Sequence, residues 1–258
     1  EGMSPDPMQF FENDGLKLAY LDEGAGEPVL LIHGFASSHF YNWVQPGWVP
    51  ALTAAGYRTI AIDNRGHGQS DKPHEKSLYT PTLMAGDAAA LLRHLGIAKA
   101  HVMGYSMGAR ITAFLALEHP ELVHDVIFGG LGIGIVEGAG DWNPIAEALL
   151  AEDAETVTHP RGKMFRMFAD KTRSDKIALA ACVITSKEEI SEANMARITQ
   201  PALVAVGTKD DIGGSPHRLA ALMPQGEAID IPNRDHMLAV GDKVFKEAVI
   251  RFLQAHPL

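Results

Sequence analysis

Of 258 residues only one is cysteine, Cys182. No internal disulfide can form, so this chain rests on an apolar core, and a chain of its length buries most of its apolar surface without staples. Paired cysteines and His-Glu-x-x-His are both missing, although histidines are plentiful, so no metal centre and no cofactor is expected. Basic clusters are missing too: the formal charge is −10, with 32 acids against 22 Lys and Arg. A binder of phosphate backbones needs the reverse, so no nucleic-acid partner is expected. No stretch approaches the roughly 20 uninterrupted apolar residues of a membrane span, and no basic segment followed by an apolar one opens the chain. The expectation is a cytoplasmic protein without a membrane partner. Glu1-Gly2 ahead of Met3 reads as a vector remnant, which leaves a trimmed native leader open.

What is present is alternation. "FFEND" and "LKLAYLDEG" flank Asn13-Asp14-Gly15, a hairpin-turn signal. "PVLLIHG", "YRTIAID", "KAHVMG", "VHDVIFGG", "ALVAVG" and "EAIDIP" are short apolar runs suited to strands buried on both faces. Helix-period segments lie between them: "WVPALTAAG", "TLMAGDAAALLRHLG" with Thr82 as N-cap and Gly96 as stop, "SMGARITAFLALEHP", "SPHRLAALMP" and "KVFKEAVIRFLQAH". The pattern predicts one α/β domain with a mostly parallel eight-stranded sheet and helices on both faces. Residues 135–198 break the alternation. "GDWNPIAEALLAED", "RGKMFRMFAD", "SDKIALAACVI" and "KEEISEANMARI" follow one another as helical segments with no strand between, which predicts a helical cap on a core of residues 8–134 and 199–258.

The chemistry gathers around Ser106. Gly104-Tyr105-Ser106-Met107-Gly108 fills Gly-x-Ser-x-Gly, a common match by itself, but here an apolar strand precedes the serine and a helix follows. That is the setting of a nucleophile elbow, where crowded backbone demands small neighbours. A serine hydroxyl is a poor nucleophile at neutral pH and needs a base, which in turn needs an orienting carboxylate. Asp210 or the adjacent Asp211 follows the predicted strand 202–207, and His236 follows 227–232. Both thus fall at carboxyl ends of strands, the edge where open parallel sheets build their sites. For an oxyanion, the expected donors are the backbone N–H groups of Met107 and of Phe35 in the "HGF" loop, which His33 and Gly34 shape. In the cap, Met164, Phe165, Met167 and Phe168 supply apolar bulk; Met164 and Phe168, with Met237 beside the histidine, are the candidate pocket residues.

Each residue also has a plainer reading. Ser106 could simply cap the helix from 107. His94 and His101 fall inside a helix and a strand, where structural roles fit better, and Cys182 fits a small buried hydrophobe in a cap helix. "DNRGHGQS" lacks the spacing and lysine of a phosphate loop, and "GGLGIGIVEG" lacks the last glycine of a dinucleotide fingerprint.

Taken together and in this order, "LIHGF", "DNRGHGQSDKP", "GYSMG", "VGTKDD" and "RDHM" resemble successive landmarks of the α/β-hydrolase family over about residues 10–255. In size and cap placement the chain is similar to small carboxylesterases and 3-oxoadipate enol-lactonase-like enzymes. The resemblance implies a catalytic Ser106, Asp210 and His236, the family's Gly-x-x-Asp falling on Gly207 and Asp210 rather than Asp211. It implies a cofactor-free serine hydrolase acting on a small-molecule ester or lactone. The alternatives are perhydrolase or haloperoxidase, C–C hydrolase or lyase chemistry on the same triad, or a module that only binds a small ligand. Homo-oligomerisation is left open.

Overall fold

A computed structural model describes residues 8–258, so the Pro-containing lead and Glu1-Gly2 lie outside the described residues. Strands β1 (Gln9–Asn13) and β2 (Leu16–Glu23) form the expected hairpin, turning through Asp14 and Gly15, both at positive φ as a type I′ turn requires. β3 (Glu27–Ile32), helix α1 (Trp48–Ala54), β4 (Tyr57–Ile62), α2 (Pro81–His94), β5 (Ala100–Tyr105), α3 (Met107–Glu118) and β6 (Val123–Gly129) follow in βα alternation. The sheet has eight strands in the order β1-β2-β4-β3-β5-β6, completed by β7 (Ala202–Gly207) and β8 (Gly226–Ile231). Only the pairings of β1 with β2 and of β2 with β4 are antiparallel.

The period-two geometry of the strands divides the core into two layers. On β3, Leu30 and Ile32 pack with Val102 and Phe128 beneath α2 and α3, while Val29 and Leu31 pack with Met103, Ile127 and the buried Trp43 and Trp48 on the opposite face. Every residue of β5 and β7 is buried, which is why β7 is continuously apolar and β5 is apolar but for His101, rather than alternating.

Between β6 and β7 the chain runs through α4 (Gly134–Glu137), α5 (Asn143–Leu150), α6 (Pro160–Lys171), α7 (Lys176–Thr185) and α8 (Glu192–Met195). The C-terminal part adds α9 (Pro216–Ala220), α10 (His236–Ala239) and α11 (Lys243–Ala255). Among the described residues no helix is long and apolar enough to cross a membrane.

Three local expectations are corrected. Thr80, not Thr82, caps α2: its Oγ1 accepts the Leu83 N–H at 3.2 Å, and Pro81, which has no N–H to satisfy, takes the first helical position. The segment 187–198 is helical only over α8. The carbonyl of Glu188 accepts from Arg110 and the N–H of Ile190 donates to the carbonyl of Ile135, so this backbone is bonded to α3 and α4 instead of to itself. "SPHRLAALMP" is helical only through Ala220 and ends in turns.

Candidate active site

The sharp turn from β5 into α3 explains the glycines around Ser106. A Cβ on Gly104 would lie 1.9 Å from the Gly108 carbonyl oxygen, and one on Gly108 would lie 1.9 Å from that of Ile32. Neither position admits a side chain. Ser106 itself stands at φ 57°, ψ −116°, a conformation costly for a residue with a Cβ, and its N–H is tied to the Gly129 carbonyl at 2.7 Å. Its hydroxyl does not cap α3. It lies 2.9 Å from Nε2 of His236, 130 residues away in the chain.

His236 begins α10, just beyond β8, and Asp235 caps that helix through the Leu238 N–H. Its backbone carbonyl accepts the Tyr105 hydroxyl, which anchors the histidine to the residue preceding the serine. Nδ1 of His236 lies 2.7 Å from Oδ2 of Asp210. A carboxylate can only accept there, so the proton sits on Nδ1 and Nε2 faces the serine with its lone pair. Asp210 is held from its other side: Oδ1 accepts the N–H groups of Ile212 and Gly213 at 2.7 and 2.9 Å. Burial pushes the Asp210 carboxyl up, but the His236 hydrogen bond and charge and the two backbone donors outweigh it and hold it below the usual carboxylate range. Asp211 is exposed and has no part in this chain of bonds.

The "HGF" loop after β3 lies beside the serine, Gly34 approaching Tyr105 and Ser106 closely. Two buried histidines brace it against the loop after β4. Nε2 of His33 accepts the Asn64 N–H and Nε2 of His67 accepts the Ala36 N–H, both at 3.0 Å, while their Nδ1 atoms donate to the carbonyls of Gly34 and Arg65. Such partners require neutral rings. Burial accordingly lowers His33 to about 4 and His67 to about 3. Gly34 N–H is held by Oδ1 of Asn42 at 2.7 Å. Among the described residues the backbone N–H groups of Phe35 and Met107 have no hydrogen-bond acceptor.

A cavity of about 380 Å³ opens onto these groups. Ser106 and His236 line it with Phe35, and Met164, Phe168 and Met237 line it as well. Tyr41 and Trp142 add aromatic walls, packed on Phe168 and Phe165 at ring distances of 5.4 and 6.1 Å. Met167 is 60% exposed and is not among the lining residues.

Four groups at or near the site carry no sequence signal: Asn42, Tyr105 acting through its hydroxyl, Lys187 in the cavity wall, and Arg110. The buried Arg110 guanidinium reaches from α3 to the carbonyls of Gly134, Ile135 and Glu188 and so fastens the helical insertion to the core.

Of the other histidines, His101 forms a fully buried pair with Asp125 at 2.8 Å, at the opposite edge of the sheet. With His124 these residues put ligand-type atoms within 4.8 Å of one another, but the His101 Nδ1 proton is already committed to Asp125. Burial works against a charged His101, yet Asp125 and Glu27 prevail and raise it above the usual imidazole value. Cys182 is buried against Met107 at 3.7 Å, its thiol pushed up to about 12 by burial.

Comparison with known proteins identifies the fold family. Residues 27–166 match the profile of the alpha/beta hydrolase fold family. The Mycobacterium tuberculosis protein BpoC, named as a non-heme bromoperoxidase, is 29% identical over 245 residues, spanning 86% of this chain and 91% of its own. An epoxide hydrolase of Caballeronia sordidicola is 40% identical over 108 residues, 42% of this chain and 32% of its own. The crystal structure of a hydrolase from Pseudomonas aeruginosa superposes with a TM-score of 0.80 at 24% identity, over 97% of this chain and 99% of that one.

Proposed function

The chain belongs to the α/β-hydrolase family, and from that premise we propose that it is a serine hydrolase cleaving a carboxylic ester or lactone through an acyl-enzyme on Ser106. The observation that carries this reading is the unbroken chain from Asp210 through His236 to Ser106, at 2.7 and 2.9 Å, facing an apolar cavity. His236 takes the hydroxyl proton as Ser106 Oγ attacks the carbonyl carbon, and Asp210 stabilises the imidazolium that results. The N–H groups of Phe35 and Met107 receive the negative charge on the carbonyl oxygen. Collapse expels the alkoxide, which takes the proton from His236. Water then attacks the acyl-enzyme by the same steps and releases the acid.

In this reading residues 135–198 act as a cap that supplies Met164 and Phe168 to the pocket, over a core of 8–134 and 199–258. No step calls for a metal or organic cofactor. Epoxide opening by Ser106 would leave an ether that water cannot cleave, so the partial likeness to an epoxide hydrolase does not extend to this nucleophile.

The likeness to BpoC favours a second reading, in which hydrogen peroxide replaces water in attacking the acyl-enzyme and a peracid leaves. Hydrolysis of p-nitrophenyl acetate and butyrate by the protein and by Ser106→Ala, with and without peroxide, tests both. Turnover abolished by the substitution supports the hydrolase. Ester turnover that requires peroxide and is lost in Ser106→Ala supports the second reading. Undiminished turnover in Ser106→Ala contradicts both.

A further inference from the structure

Triad chemistry gives Lys187 no role. It lies in the cavity wall with Ser106 and His236, its Nζ 3.8 Å from the Trp142 ring centroid and 5.7 Å from that of Phe35. Arg161 brings a second cation to the same indole, its guanidinium carbon 5.4 Å from the ring centroid. Among the described residues neither cation has a carboxylate within ion-pair distance, in a chain that carries 32 acids. An aromatic face attracts a cation, but more weakly than a carboxylate does in a dehydrated setting.

The surroundings offer donors and lack a partner for them. Trp142 Nε1 and Ser37 Oγ, on two further lining residues, are buried without a hydrogen-bond partner among the described residues. Lys187 itself is held in place on both sides. Thr185 Oγ1 donates to the Lys76 carbonyl at 2.7 Å, and the Glu188 carbonyl accepts from Arg110 at 2.7 Å. A cation on an apolar wall, its neighbours in the chain pinned on both sides, in a cavity also lined by Trp142 and Ser37 with their unspent N–H and O–H groups, suits a ligand group that only accepts hydrogen bonds. Burial, followed by the repulsion of Arg110, lowers the Lys187 ammonium to about 7, and an arriving anion would restore its charge.

Building on the serine-hydrolase reading, we propose that Lys187 is a specificity-determining residue and that the ester or lactone cleaved here carries a carboxylate. That carboxylate binds the Lys187 ammonium on the cavity wall while the scissile carbonyl lies at Ser106. The group sits on the acyl or lactone portion and takes no part in bond making or breaking.

The experiment compares p-nitrophenyl monoesters of succinate, glutarate and adipate with neutral butyrate, pentanoate and hexanoate esters of equal acyl length. The intact protein, Lys187→Met and Lys187→Arg are each assayed. The ratio of kcat/KM for the best acidic ester to that of its neutral match is expected to fall about tenfold to a hundredfold in Lys187→Met, mainly through KM. Lys187→Arg retains most of the ratio. A ratio unchanged by Lys187→Met, or equal loss on both series, overturns the proposal. Saturable quenching of tryptophan fluorescence by free glutarate or adipate, in Ser106→Ala with and without Lys187→Met, separates the two readings. Quenching that depends on Lys187 in a protein that cleaves no ester upholds the anion site and removes the hydrolase. Absence of any saturable quenching, with no preference among esters, overturns the anion site.

Discussion

Nε2 of His67 accepts the backbone N–H of Ala36 at 3.0 Å, so a ring on the loop after β4 sets the position of the loop that carries Phe35. Ala36 is at φ 64°, and a residue with a Cβ adopts that conformation only when its surroundings enforce it. His67→Phe keeps the ring's bulk but offers no acceptor for Ala36 and no donor for Arg65. The expected outcome is a stability loss of about 2–4 kcal/mol from two unpaired buried groups, together with a kcat reduced about tenfold or more as the Phe35 N–H drifts from the oxyanion position. Urea denaturation and ester kinetics on the same preparation check both. A destabilised variant with undiminished kcat would show that the brace does not serve the proposed oxyanion donors.

The neutral state of His33 and His67 makes stability depend on pH. Their folded values, about 4 and about 3, lie below the unfolded value of 6.5. Between these limits the unfolded chain binds more protons than the folded one, so stability is fully present above pH 6.5 and is lost as pH falls toward 4 and 3. Each histidine contributes on the order of 3 kcal/mol across its window. Urea midpoints measured at about pH 7.5, about 5.5 and about 4.5 should decline in that order. A flat series would mean that the folded chain takes up protons on these rings as readily as the unfolded one, and would contradict the neutral state that their backbone donors require.

Two kinds of glycine should respond oppositely to alanine. Gly104→Ala and Gly108→Ala drive a methyl group into backbone and are expected to cost about 3 kcal/mol or more, or to prevent folding. Gly86, inside α2, has no atom within 4 Å of the place a methyl group would occupy and does not need positive φ. Gly86→Ala should therefore stabilise by about 0.5–1 kcal/mol through helix propensity. Thermal melts of the soluble variants decide between the two signs.

Crowding and burial are what make parts of this fold legible in the sequence. Strand β7 is legible because full burial leaves an uninterrupted apolar run, β5 because its run is broken only by His101, and the Ser106 turn because steric crowding leaves only glycine at 104 and 108. Lys187 and Arg110 are not legible. One touches an indole 45 positions earlier in the chain and the other takes carbonyls from three separate residues, and neither relation has a local pattern. The loss of helix over 187–191 has the same origin, since amphipathic spacing does not reveal that a distant guanidinium claims a carbonyl. Thr82 and Thr80 are equally able to cap as far as side-chain chemistry goes, and only the fit of Pro81 at the first helical position decides for Thr80.

Two adjacent acids allow a direct test of the orienting role. Asp210→Asn replaces the carboxylate beside His236 with an amide that can favour the wrong imidazole tautomer, and kcat is expected to fall about ten-thousandfold. Asp211→Asn, on an exposed side chain, is expected to leave kcat within about twofold. Steady-state hydrolysis of p-nitrophenyl butyrate distinguishes them, and equal losses would remove Asp210 from the proposed machinery.

Whether Ser106 is an activated nucleophile is the central question, and covalent trapping tests it most directly. The protein is exposed to a fluorophosphonate, and intact mass and peptide mapping follow. A single adduct is expected, located on Ser106, formed rapidly by the unaltered protein and slowly or not at all by His236→Ala. No adduct, or an adduct on another residue, would contradict the proposed nucleophile.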